Sequence, residues 1–431
     1  MKHLIGFNEA LDLTVSSVPS TETETLLLEE LTGRILLEDI VAKVDCPSVD
    51  SSSRDGYAVR SKDLTGASKE NAIRLNVAGR VIAGTSSNLS IKGGQAIGIT
   101  TGAAMPRGAD AVVMEENCSR REEVVHCFDS VRPGENVFQK GTDVQEGEIV
   151  LSKGEYITPA RLGLMASAGY EKAVVRKAPH VAVIATGDEV VVPGKPLSEG
   201  QLYASNMVEI CSWLSLFAIP YQVEQVSDRE EEIRSAVVKQ LPHVDAFITS
   251  GGAWGSERDL IMRVLDRLGW RGVYHKVKMK PGKGAGFGLL KEKPFFLLPG
   301  APSANETAFT QLALPGLLAM EDCAHPPFPW VRARAGETIR GDKDWTQFFD
   351  AHFMIGKDGA MVQPIRQGSR LRAMAQREAL MVLPEGFEMV AGGEETNIQL
   401  LNSFGQRLGM GFSPSKKQGN DSRRPRAVSR K

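Results

Sequence analysis

The spacing of hydrophobic positions changes along this chain, and each change predicts a different architecture. Leu4, Phe7, Leu11 and Val15 fall near helical spacing and predict an amphipathic helix over residues 4–18. Leu26 to Ala42 reads as a strand, a turn at Gly33, and then a helix or strand. Between Asn71 and Phe138, the runs IRLNVAGRVIAG, GQAIGITTG, DAVVMEE and EVVHCF are separated by turn signals. Turn signals recurring about every 8–12 residues predict a small all-β module. Thr158 and Pro159 suit the cap and first position of a helix that runs through LGLMASAG and stops at Gly169.

From Lys177 the chain alternates strands and helices, the pattern of an α/β domain with a largely parallel sheet. HVAVIAT (180–186) is a buried type of strand. An apolar helix follows over Asn206 to Phe217, then a strand over Tyr221 to Val226 and a charged helix over Arg229 to Gln240. Ala246 to Thr249, Lys276 to Lys280 and PFFLL (294–298) are further strands, and a last helix reaches Met320. Pro326-Pro327-Phe328-Pro329 is a linker. Beyond it Val331–Arg334, Gln347–Phe349, Ala360–Pro364, Leu380–Pro384 and Asn397–Leu401 predict a small β-barrel or sheet.

Ligands of open parallel sheets sit outside the carboxyl ends of the strands. Four such ends carry candidate chemistry here: Thr186-Gly187-Asp188-Glu189, Ser250-Gly251-Gly252, Lys280-Pro281-Gly282-Lys283 and Pro299-Gly300. Ser250-Gly251-Gly252 runs from a strand toward a helix, the geometry that turns backbone N–H groups toward a phosphate. It is neither a Walker A nor a GxGxxG motif, and taken alone it reads equally well as an ordinary strand-to-helix turn. Together, one acidic end, one basic end and two glycine-rich ends suit an anionic ligand with a divalent cation. In the first half, the polar loop Val49–Gly56 presents Asp55 on a tight turn, and Asp143 sits beside strand-like Val144.

Composition narrows the class. At 431 residues the chain is too long for one core and long enough for roughly three domains of about 150 residues. Its 42% hydrophobic and 24% charged residues are ordinary for a soluble globular protein, and a net charge of −2 gives no general attraction to nucleic acid. The longest uncharged apolar stretch, Ile210 to Val223, is too short to span a membrane and contains Pro220. With Asn8, Glu9 and Asp12 where a signal peptide would be apolar, the expected location is the cytoplasm. The five cysteines have no CxxC pair and read as reduced, buried or half-buried thiols; the histidines form no HxxxH or HxH pair. A bound metal would therefore be held by carboxylates, which suits Mg²⁺. The end from Ser413 is polar and basic and reads as a disordered tail.

Six segments, in order, resemble one family. SSSRDGYAVR is similar to the SAMDGYA loop of the molybdopterin molybdenumtransferases, and ITTGAAMPRGADAVVMEE to their TGAPMPEGADAVV segment. GENVFQKGTDV, ATGDEVV, the SGG…D loop, and MKPGK followed by LPG also match, so the resemblance spans residues 4 to about 405. It implies an α/β plus β multidomain fold. An elongated helical/β N-terminal domain (1–45 and 140–176) carries an inserted β domain (46–139). An α/β three-layer molybdopterin-binding domain (177–325), a C-terminal β-barrel (326–408) and the tail (409–431) follow. It also implies a homodimer, with an upstream molybdopterin adenylyltransferase supplying the substrate. The implied reaction joins molybdate to the dithiolene sulfurs of adenylylated molybdopterin with release of AMP, assisted by Mg²⁺.

By that resemblance Asp188, Glu189, Asp228 and Asp259 hold the metal. Asp55, Asp143, Asp228, Asp259, Lys276 and Lys280 are catalytic, Asp55 and Asp143 reaching the site from the partner subunit. Thr186, Gly187, Ser250, Gly251, Gly252, Lys283, Pro299 and Gly300 contact the ligand. The chain departs from the family where SGGVSVG becomes SGGAWGS, placing Trp254 in the loop, and where LPGNPVS becomes LPGAPSA, replacing an asparagine by Ala301. Alternatives are a paralogue that uses tungstate, a non-catalytic pterin carrier or sensor, a scaffold, and an adenylyltransferase, against which the additional domains argue.

Overall fold

The computed structural model describes residues 1–85, 88–251, 260–357, 359–366 and 369–401. Gly252, Trp254, Asp259 and the tail lie outside the described residues. The chain divides into two compact units. One holds Met1–Val18, His180–Leu317 and His325–Lys431; the other holds Pro19–Pro179 and Leu318–Ala324.

In the first unit, four parallel strands lie in the order Tyr221–Val226, Val181–Thr186, Ala246–Ser250 and Lys293–Leu298. VAVIAT and AFITS are buried at every position, as expected of strands covered on both faces. The helices Glu230–Gln240 and Leu260–Arg267 pack Ile233, Val237, Ile261, Val264 and Leu265 against Ala182, Ile184, Phe247 and Phe295. Glu230, Glu231 and Glu232 occupy the first turn of their helix and Lys239 the last, which complements its dipole.

The sheet continues through an antiparallel hairpin, Gly286–Leu290 and Arg271–Lys280, in place of the expected short strand over 276–280. The predicted helix over 4–18 is also corrected. Lys2–Gly6 is a strand running parallel to Arg271–Lys280, and the helix begins at Phe7 and ends at Ser17. Ile5 is a strand former, and its pairing with Val277 overrides the helical spacing.

Five further strands of the same unit close into a barrel: Thr346–Gly356, Gly359–Pro364, Trp330–Ala335, Glu395–Leu400 and Ala379–Leu383, the last pairing back with the first. Its interior holds Ala333, Ala351, Val362, Met381 and Ile398. The barrel joins the α/β sheet where Lys280 pairs with Gln347.

The second unit contains a six-stranded sheet in the order Ala111–Met114, Gly56–Val59, Gln95–Ile99, Ile73–Val81, Val124–Cys127 and Cys118–Arg121. It also contains the helix Pro159–Ser167, whose Thr158 cap accepts the Arg161 N–H as the sequence predicts.

Candidate functional site

The register aligns the carboxyl ends of the parallel strands. Thr186 pairs with Val226, Ala185 with Ser250 and Ser250 with Leu298, so Gly187, Ser227, Gly251 and Pro299 leave the sheet along one edge. Gly251 has φ +104, and a Cβ there would lie 2.8 Å from the Thr186 carbonyl oxygen. Only glycine fits, which brings the Ser250 and Thr186 ends into backbone contact. Gly251 N–H donates to Leu298 O at 3.3 Å. Two side chains that sequence reasoning missed brace these loops. Buried Asn305 donates to Ser250 Oγ at 3.0 Å and to Pro299 O at 2.8 Å, while Asn206 donates to Gly300 O at 2.8 Å. Side-chain amides therefore reach the 299–300 loop even though Ala301 stands where the family carries asparagine.

Asp188, Glu189 and Asp228 form an acidic corner at one end of this edge. The Asp228 N–H donates to Asp188 Oδ1 at 3.2 Å. Burial, with the Glu189 and Asp188 charges, pushes the Asp228 carboxyl above its ordinary value. Carboxylates that repel one another at a strand end have the charge and hardness a divalent cation requires. Among the described residues, however, no three His, Cys, Asp or Glu side chains converge closely enough to form a metal cage.

The hairpin stands at the other end. His275 and Leu297 both pair with Gly286, so Lys276 lies level with the end of the Lys293–Leu298 strand. Lys276 has φ +66, a left-handed conformation that costs a non-glycine residue energy and is often kept at functional positions. Lys280 lies four residues further on, roughly 13 Å beyond the edge at strand rise. Lys280 Nζ sits 4.4 Å and Lys283 Nζ 5.3 Å from the centroid of the Trp345 ring. Lys280 also donates to Asp342 Oδ2 at 3.1 Å, and that bond holds the Asp342 carboxyl below its usual value.

A cavity of about 460 Å³ opens beneath the hairpin, lined by Lys280, Lys283, Pro299, Ser303, Phe348 and Arg370. A second, of about 720 Å³, shares Pro281, Ser303 and Arg370 and adds Arg340 and Arg366. Trp345 and Arg370 were not legible as site residues, because the pairing of Met279 and Lys280 with Thr346 and Gln347 is what brings the barrel to the lysines. From the Val181–Thr186 strand to Arg271–Lys280 is four strand spacings, roughly 19 Å. The edge thus runs from acidic, through the glycine-bearing ends at Gly251 and Gly300, to basic.

Asp55 and Asp143 belong to the second unit. Asp55 Oδ1 accepts the Thr101 N–H at 2.8 Å, and the Asp143 N–H donates to Cys46 O at 2.9 Å. Their two segments zip together through Val137 with Ser52 and Cys46 with Val144, and both side chains are exposed.

This layout defines a class: a multidomain α/β protein whose strand ends form an edge with acidic and basic ends. Residues 5–169 match the family model described as "MoeA N-terminal region (domain I and II)" and residues 182–319 the one described as "Probable molybdopterin binding domain". The molybdopterin molybdenumtransferase of Haemophilus influenzae is 33% identical over 416 residues, covering 93% of this chain and 99% of the relative. That of Bacillus subtilis is 31% identical over 387 residues, covering 88% and 90%. Among solved structures, a molybdopterin biosynthesis moeA protein from Pyrococcus horikoshii OT3 superposes with a TM-score of 0.78 at 27% identity, covering 92% of this chain and 100% of that one. The chain belongs to the molybdopterin molybdenumtransferase family.

Proposed function

We propose that this protein takes adenylylated molybdopterin and molybdate, joins the metal to the dithiolene sulfurs and releases AMP. The observation that carries this reading is the strand-end edge that runs from a carboxylate corner to a lysine hairpin over a cavity of about 460 Å³. The pyrophosphate of the substrate needs hydrogen-bond donors, and the Ser250 hydroxyl and the Gly300 N–H stand at the strand ends to offer them, while Gly251 and Pro299 shape the approach. Lys276, Lys280 and Lys283, with Arg370, give the cationic surroundings that a phosphate or a small oxyanion dianion needs. Molybdate enters as substrate beside these lysines.

Asp188, Glu189 and Asp228 take a Mg²⁺ ion, with Asp259 as the further carboxylate. Bound there, the ion would neutralise charge that develops on the phosphates during cleavage. Burial, and after it the Glu189 and Asp188 charges, raise the Asp228 carboxyl, and a cation at this corner would offset both. Thr186 and Gly187 shape the wall between that corner and the phosphates, and the family pattern makes Gly252 a further ligand contact. Asp55 and Asp143 act from a second subunit of a cytoplasmic homodimer, each domain keeping the boundaries given by the family pattern.

The test is production of active molybdenum cofactor. Purified protein, adenylylated molybdopterin, Mg²⁺ and molybdate should reconstitute a cofactor-free molybdoenzyme. Reconstitution that works only with tungstate would assign the paralogue's metal instead. Stable binding of the nucleotide without any cofactor produced would overturn the catalytic reading in favour of a carrier.

A further inference from the structure

Cys118–Arg121 and Val124–Cys127 form a hairpin on one side of the six-stranded sheet, joined by the two-residue turn Glu122-Glu123. Glu122 has φ +52, as a tight hairpin turn requires. The register pairs Arg121 with Val124, Arg120 with Val125, Ser119 with His126, and Cys118 with Cys127. One step further out, the Phe128 N–H donates to Asn117 O at 2.9 Å. Hydrogen-bonded and non-hydrogen-bonded pairs alternate in an antiparallel ladder, so Cys118 and Cys127 occupy a non-hydrogen-bonded pair. In such a pair the Cα atoms lie about 4.5 Å apart and the side chains project to the same face. That falls within the roughly 4.4–6.8 Å that a disulfide spans.

The sulfurs are already neighbours: Cys118 Sγ donates to Cys127 Sγ at 3.7 Å, and both cysteines are free thiols. Bond formation needs the sulfurs to close to about 2.05 Å, which side-chain rotation supplies without moving the backbone. Cys127 is fully buried among Tyr57, Val113 and Val125, whereas Cys118 is half-buried and reachable from solvent. We propose that Cys118 and Cys127 are a dithiol modification site that a small two-electron oxidant of the peroxide class closes into a cross-strand disulfide.

The chemistry balances. The Cys118 sulfur, as thiolate, attacks one peroxide oxygen; the O–O bond breaks, Cys118 becomes a sulfenic acid and one water leaves. The Cys127 sulfur then attacks the sulfenic sulfur, the S–O bond breaks, and the hydroxyl departs as a second water with the Cys127 proton. Two thiols and one hydrogen peroxide give one disulfide and two waters, the cysteines losing two electrons. The hydrogen bond to Cys127, and after it burial and the Glu115 and Glu116 charges, push the Cys118 thiol up while the same bond draws the Cys127 thiol down, so the first step at Cys118 is slow at neutral pH and accelerates as the medium becomes alkaline.

The test uses the full chain, treated with hydrogen peroxide at about pH 8.5, near the reference thiol pKa, then alkylated and digested with trypsin without reduction. Trypsin cleaves after Arg120 and Arg121, between the two cysteines, so the disulfide appears as a linked peptide pair that a reductant separates. Free thiols in denaturant should fall from five to three. Cys118→Ser and Cys127→Ser should each abolish the linked pair. Absence of the linked pair, linkage of Cys118 to another cysteine instead, or stepwise oxidation of Cys118 to sulfinic acid with Cys127 still free would overturn the proposal.

Discussion

Replacing Arg377 with methionine should destabilise the first unit more than any surface substitution. The Arg377 guanidinium is 4% exposed and bridges Glu306, also 4% exposed, and Asp350. Glu306 additionally accepts from Trp213 Nε1 at 3.2 Å. These residues come from the helices Ser205–Leu216 and Pro302–Ala308 and from the barrel, so one cation ties the α/β layer to the barrel within a single unit. Methionine preserves most of the side-chain volume but leaves two carboxylates without their counter-charge. Removing one partner of a buried ion pair costs about 3–5 kcal/mol, most of it the desolvation of what remains. At roughly 2–4 °C per kcal/mol, Tm should fall by about 6–20 °C. Adding Glu306→Gln to the same chain should recover part of that loss, because it removes one stranded charge. Differential scanning calorimetry at pH 7 measures both. A single-variant shift below about 2 °C, or a double variant less stable than the single, would refute the reasoning.

The other predictions concern protonation and the site. Burial, and then the Glu306 carboxylate, push Glu209 up to about 9, so it is neutral in the folded protein but ionised when unfolded. The stability this contributes is complete below about pH 4.5 and is lost as pH rises through 9, with a slope of up to about 1.4 kcal/mol per pH unit. Glu209→Gln should flatten the dependence of Tm on pH over this window, and an unchanged slope would refute the assignment. Gly251→Ala should cost about 1–3 kcal/mol and weaken nucleotide binding, because its Cβ meets the Thr186 carbonyl at 2.8 Å with φ at +104. Calorimetry and titration with the nucleotide check this, and an unaltered Tm would contradict it. Trp345→Ala removes the ring that holds Lys280 and Lys283. At about 0.5–2 kcal/mol per cation–π contact it should raise KM for the oxyanion severalfold while leaving Tm nearly unchanged. An unchanged KM would mean that the ring does not position the lysines.

Val181–Thr186, Ala246–Ser250 and Lys293–Leu298 were legible as short apolar runs ending at Gly or Pro, but the order of the ends across the sheet was not, because the Lys280 end precedes Pro299 in the chain and lies beyond it in the sheet. Thr186, Ser250, Gly251 and Leu298 come together as the pattern predicts, through ladder register alone. The Gly286–Leu290 strand was not legible: its two glycines and the Pro281–Gly284 turn read as loop, yet its neighbours bury all five positions. Leu4 fits a helix by its spacing from Phe7, whereas the neighbouring Ile5 suits a strand, and the distant Arg271–Lys280 strand decides between them. Trp345 and Asp342 lie about sixty residues from Lys280, so no local pattern announces them. Nor does spacing reveal Asn206 and Asn305, whose roles follow from where two helices begin relative to the strand ends.

The central claim is that this edge binds the adenylated pterin and cleaves it when the oxyanion arrives beside the lysine hairpin. The most direct measurement is AMP release from adenylylated molybdopterin with Mg²⁺, with and without molybdate, by the unaltered protein and by Lys280→Ala. The account predicts release that requires the oxyanion. It also predicts that the variant binds nucleotide but needs about 10- to 100-fold more molybdate, the loss of one charge-assisted hydrogen bond. Release that ignores molybdate, or a Lys280→Ala protein with unchanged molybdate dependence, would contradict it.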